Sequence, residues 1–290
     1  MTLYSTFVSP FIDYGFMRRA LVACIALALG SAPVGVLLML RRMSLVGDAM
    51  SHAILPGAAV GFLIAGGLSL PAMGLGGLVA GLSIALLSGL ISRTTALRED
   101  ASFASFYLTS LALGVLIVSL KGSNIDLLHV LFGTILAIDP RALCLVGGIA
   151  SLTIITLALI YRPLVAECFD PGFLRAVGGH GSLFHFLFLL LVVINLVASF
   201  EALGTLMAVG LMMLPAAVAR LWAQTLPMMF AIAAATAAVS GYLGLVASFH
   251  FAVASGPTII LTASCIYGAS LVLSPTGLVR RLYSRPHFNA

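Results

Sequence analysis

The chain has 290 residues, of which 61% are hydrophobic and only 8% charged, with 14 basic against 9 acidic side chains. A soluble domain carries about 25% charged residues, so these side chains cannot cover a water-facing surface of this size. Disordered, fibrous and ordinary cytosolic classes are excluded, and an all-α polytopic membrane protein is implied.

The first 16 residues contain Pro10 and Asp13 and lack the usual form of a cleavable signal peptide. Nine apolar segments follow, at 20–40, 48–68, 72–92, 103–120, 141–161, 183–199, 203–221, 226–248 and 257–275. Each reads as a helix, because hydrocarbon offers backbone groups no partner outside a helix or a closed barrel. No Asp, Glu, Lys or Arg occurs between Asp48 and Arg93, or between Arg220 and Arg280. At about 20 residues per crossing, each gap holds at least two spans. One transmembrane domain over 1–290 accounts for the whole chain.

The polar connections are few: 41–47, 93–100, 121–140, 162–182 and the tail 280–290. Placing the arginine-rich tail in the cytoplasm and alternating backwards puts Arg220, 162–182, 93–100 and Arg41-Arg42 inside as well, as the positive-inside rule requires. Nine spans then put the N-terminus outside, with Arg18-Arg19 on the wrong side. Eight spans with one re-entrant segment relieve that. The weakest boundary is between 183–199 and 203–221, which Glu201 nearly joins. The basic residues mark segment ends, which reads as topology and lipid contact rather than nucleic-acid binding.

An ionisable group inside a span is a functional-site hypothesis by default. Asp48 and His52 stand four apart, so a helix stacks them on one face. A carboxylate and an imidazole at that spacing can share a divalent ion, Zn²⁺ first and Mn²⁺ or Fe²⁺ next. The competing reading makes Asp48 a helix N-cap and His52 an interfacial residue. His250 is a second candidate ligand, and Glu201 a third acid at the outer interface. In 204–217, Gly210 and Pro215 predict a kinked or broken helix. Met207, Met212 and Met213 read as core packing. The scattered cysteines form no CxxC, and the single lysine, Lys121, follows Leu120, so no Walker A loop exists. HExxH and GxSxG are absent too, which leaves transport ahead of catalysis.

Several segments together resemble the integral membrane permease of zinc/manganese/iron ABC importers. Arg41-Arg-Met-Ser-Leu-Val-Gly-Asp48-Ala-Met-Ser-His52-Ala resembles that family's RRMS-x-x-GD-x-x-x-HA signature. Gly204 to Arg220 resembles its second signature, ending in Pro215-Ala-Ala-Val-Ala-Arg. Leu131-Phe-Gly-Thr, Phe169-Asp170-Pro171 through Gly178, and Ser255-Gly256-Pro257-Thr match further blocks in the same order. The chain departs from the family at Ala252-Val-Ala254, where DLP is common, and at Gly172, where Glu is common.

The resemblance implies an ABC permease bundle of eight or nine transmembrane helices. It implies a homodimer in the inner (cytoplasmic) membrane with its C-terminus inside, working with a separate cytoplasmic ATP-binding subunit and an extracytoplasmic metal-binding protein. The chain itself would be no enzyme and would hold no permanent cofactor; Zn²⁺ or Mn²⁺ would be cargo. The family's metal contacts carry over to Asp48 and His52. The stretch 162–181, with Arg162, Glu167, Asp170 and Arg175, is expected to be a cytoplasmic loop that docks the ATPase. A secondary transporter driven by a proton or sodium gradient is the alternative that would use the same Asp and His.

Overall fold

The computed structural model describes residues 3–66, 69–97, 99–121, 135–169 and 181–275. Two short helices, α1 (Leu3–Phe7) and α2 (Ser9–Asp13), precede nine long ones. These are α3 (Gly15–Leu40), α4 (Ser44–Ala65), α5 (Leu70–Thr94), α6 (Glu99–Lys121) and α7 (Pro140–Phe169). They continue as α8 (Gly181–Leu203), α9 (Thr205–Trp222), α10 (Leu226–Phe251) and α11 (Ser255–Leu273). A single 3₁₀ turn, Ile135–Ala137, leads into α7. No strand occurs among the described residues.

Each of the nine apolar segments read from the sequence corresponds to one long helix. Seven are long and apolar enough to cross a membrane by themselves. Of the other two, α6 opens on Glu99 and Asp100, and α9 has a shorter apolar stretch, Met207–Trp222. The boundary at Glu201 is a true break, made by Gly204 at φ 82, a backbone conformation that costs a glycine nothing. The expected break at Gly210 or Pro215 is absent, since α9 runs through both.

Lipid tails are as apolar as leucine, so close packing replaces the hydrophobic effect between membrane helices. Helix α3 lies at the centre, against α7, α9 and α10. One core joins α3, α9, α10 and α11 around Cys24, Leu27, Met207 and Ile259. A second gathers the end of α3 with α4, α5, α7 and α8 around Leu38, Met50 and Phe188. Met207 and Met212 are fully buried, so they pack. Where helices come closest, glycine makes it possible. A side chain on Gly57 of α4 would collide with the Gly76 carbonyl of α5, and one on Gly61 with the Ala72 carbonyl. These pairings run α4 and α5 antiparallel. Asn195, buried inside the bundle, is satisfied from two sides: it donates to Thr153 Oγ1 (2.7 Å) and to the Leu191 carbonyl (2.9 Å).

The two ends of the bundle differ in chemistry. At one end, Arg41 after α3 lies 3.8 Å from Glu167 near the end of α7, and its guanidinium stacks 5.2 Å over Phe188 of α8. His185 of α8 approaches Glu99 of α6 to 2.8 Å. At the other end, Tyr242 donates to the Phe7 carbonyl (2.8 Å) and Phe11 stacks on Tyr242 at 5.2 Å. Arg19 donates to the Ile138 carbonyl (3.3 Å) there, which gives this arginine a fixed partner. The N-terminus therefore lies opposite the Arg41 end, as nine alternating helices require.

Candidate functional site

Helix α4 begins at Ser44, with Met43 as its cap residue. Asp48 is thus inside the helix, not its cap, and the capping alternative falls. One turn later comes His52, whose Nε2 lies 3.8 Å from Asp48 Oδ1. That is too long for a hydrogen bond. It is close to what one metal ion would span: with bonds of about 2.1 Å to each ligand, the angle at the ion would be about 130°. The Asp48 side chain is 64% exposed and that of His52 34%. Both therefore sit at an open edge of the chain, ready to meet further ligands.

That edge borders a crevice between α4 and α6. Leu45, Val46, Asp48 and Ala49 line one wall, and Asp100, Phe103, Ala104 and Tyr107 the other. The Tyr107 ring lies 6.0 Å from the His52 ring. The two helices run parallel here: Ser110 donates to the Ala53 carbonyl (3.3 Å), and Gly114 meets Pro56 one turn further on. On its other side α4 touches α9, where the Met213 methyl sits over Gly47 at the position a side chain would occupy (2.7 Å).

His250 is not brought to this site. It ends α10, and its Nε2 donates to the Thr6 carbonyl at 2.9 Å, at the end of the bundle away from Arg41. Among the described residues no three His, Cys, Asp or Glu side chains come together as a metal site. Glu201 falls in the last turn of α8, and its side chain lies outside the described residues. We expect His250→Ala to leave metal uptake within about twofold of the parent, since no first ligand is lost at the pair. Uptake measured in the assembled transporter checks this. A loss matching that of His52→Ala would return His250 to the pathway.

The docking stretch needs a correction. Residues 162–169 are not loop but continue α7, and Glu167 is 6% exposed, turned inward onto Arg41. The reason is the partner: a carboxylate can be buried when a guanidinium faces it. Arg162 remains exposed on α7, whereas Asp170 and Arg175 lie outside the described residues. Sequence reading missed the pairing of Arg41 with Glu167 and of Glu99 with His185. Their scarcity in an apolar chain was the available signal.

The family described as the ABC 3 transport family matches residues 13–274. The chain is 32% identical over 286 residues to the manganese transport system membrane protein MntC of Halalkalibacterium halodurans, covering 98% of this chain and 96% of that one. It is 30% identical over 270 residues to the chelated iron transport system membrane protein YfeD of Yersinia pestis, covering 93% and 89%. In three dimensions it resembles PsaBC from Streptococcus pneumoniae, solved in complex with Fab, at TM-score 0.83 and 29% identity. That match covers 97% of this chain and all of the other. A helical bundle of this topology, with an Asp–His pair set into a membrane span and a match over nearly its whole length, makes the chain a member of the ABC 3 transport family.

Proposed function

We propose that the chain is the permease subunit of an ATP-driven importer of divalent metal ions, with Mn²⁺ as the first cargo. The observation that carries this is the Asp48–His52 pair, exposed at the edge of α4 and joined by no third such ligand among the described residues. A second copy related by a two-fold axis would supply a second pair. Two carboxylates and two imidazoles make a four-ligand set that forms when the copies close and is lost when they part. A transient site suits transport, because a permanent one would retain the ion. His52 favours zinc, whereas manganese prefers oxygen-rich sites. The names of relatives at about 30% identity, which speak of manganese and chelated iron, move manganese ahead of the zinc first expected.

In this reading ATP is hydrolysed by a separate cytoplasmic subunit that docks on 162–181 through Arg162, Asp170 and Arg175. An extracytoplasmic protein hands over the metal. The chain lies in the bacterial inner membrane with its C-terminus inside. The test is uptake of radiolabelled manganese into proteoliposomes holding this chain and its ATPase. ATP-dependent uptake, suppressed by excess cold manganese more than by zinc, is expected. Uptake driven by a proton or sodium gradient without ATP would overturn the proposal, and preferential competition by zinc would reverse the metal order.

A further inference from the structure

Two polar contacts at the Arg41 end, one buried and one half-buried, share a geometry that metal binding does not explain. Glu167 stands three residues before the 170–180 stretch, and Gly181 and His185 follow it. The two flanks touch: a side chain on Gly181 would collide with Glu167 Oε2, and Glu167 Cδ is 3.2 Å from that position. From this neck two contacts reach out. Glu167 meets Arg41 at 3.8 Å, and His185 meets Glu99 at 2.8 Å. Arg41 is joined to α4 by the three-residue turn Arg41–Met43, in which Arg42 takes the left-handed conformation (φ 59). Glu99 is the first residue of α6. The two helices reached are thus the two that wall the crevice beside Asp48 and His52.

Buried ion pairs are weak sources of stability, since desolvation offsets most of the attraction. Two such contacts converging on one neck are therefore better explained by what they connect. We infer that Arg41–Glu167 and Glu99–His185 are positioning pairs that carry displacement of the adjoining ends of α7 and α8 to the starts of α4 and α6, and so set the width of the crevice beside Asp48 and His52. Each pair is a discrete contact between two rigid helices, the kind of element through which coupling passes. The inference rests on the reading that the 162–181 stretch docks the ATPase.

The test uses the complete complex in proteoliposomes and reads two quantities in the same vesicles: manganese taken up and ATP hydrolysed. For Glu167→Gln and Glu99→Gln we expect normal ATPase content and near-normal hydrolysis. Manganese moved per ATP is expected to fall by about fivefold or more, the lower end of allosteric couplings. The charge-swapped chain, Arg41→Glu with Glu167→Arg, is expected to recover part of that ratio. A purely structural role would change the amount of complex but not the ratio. Should Glu167→Gln fail to assemble, Glu99→Gln at the more exposed pair carries the same reading. An unchanged ratio in an assembled variant overturns the inference. The docking reading fails separately: cysteines at positions 171 and 175 of the otherwise unaltered chain would then give no cross-link to the ATPase.

Discussion

Asp48→Ala and His52→Ala are each expected to lower manganese uptake at least about tenfold while the chain stays assembled with its ATPase. Loss of an outer-shell partner alone typically costs 10–100-fold in metal affinity, and in the proposed site a direct ligand is removed. The fold has little reason to suffer. Asp48 is 64% exposed and His52 34%, and neither side chain fills a core. The two variants are also expected to resemble each other, because in a symmetric dimer either change removes two of the four ligands at once. Asp48→Asn separates charge from shape: it keeps the side-chain volume, and the loss of uptake is expected to persist. Uptake at parental expression, normalised to purified complex, is the measurement. Normal uptake in both alanine variants would remove the metal role from α4.

The second large effect concerns stability. Gly57→Val is expected to lower the melting temperature strongly, with a cost of about 1–3 kcal/mol or more for overpacking. A side chain there meets the Gly76 carbonyl oxygen and lies 2.7 Å from its carbon and 2.6 Å from Ala80 Cβ. These neighbours are backbone and a methyl group, so nothing flexible can yield. Gly268→Ala is the control. Nothing lies within 4 Å of its added carbon, and a mid-helix glycine is about 1 kcal/mol less favourable than alanine, so a neutral or slightly raised melting temperature is expected. Thermal unfolding in detergent compares the two. Similar melting curves for both variants would show that α4 and α5 do not depend on backbone contact.

Much of this architecture could be read before any coordinates. Stretches without charge, bounded by arginine, located all nine helices, because a membrane span must be apolar and continuous. The Asp48–His52 face followed from helical period alone. What escaped was everything that depends on distant parts of the chain meeting. Glu167 in a polar, arginine-bearing stretch has the local pattern of a solvated loop. Arg41, brought beside it by the packing of α3 on α7, accompanies its burial. His185 likewise carried no local signal until Glu99 of α6 was placed against it. His250 also meets a distant part of the chain. Its isolation in an apolar segment suggested a ligand, while the partner it has, the Thr6 carbonyl, comes from the N-terminal segment. Of the glycines and the proline that suggested a kink or break, Gly204 supplies the break through its positive φ, whereas α9 runs on through Pro215.

The unlike surfaces of α4 have a mechanical consequence. Toward α5 it presents bare backbone, with Gly57 and Gly61 seated on Gly76 and Ala72, so the two helices meet backbone to backbone. Toward α9 its contact at Gly47 is the tip of Met213, an unbranched thioether side chain with three rotatable bonds. The first surface is a weld and the second a bearing. Any stroke that parts the proposed metal ligands must then move α4 and α5 as a single lever, turning against methionine, and the stiffness of that lever is set by three glycines, Gly57, Gly61 and Gly76.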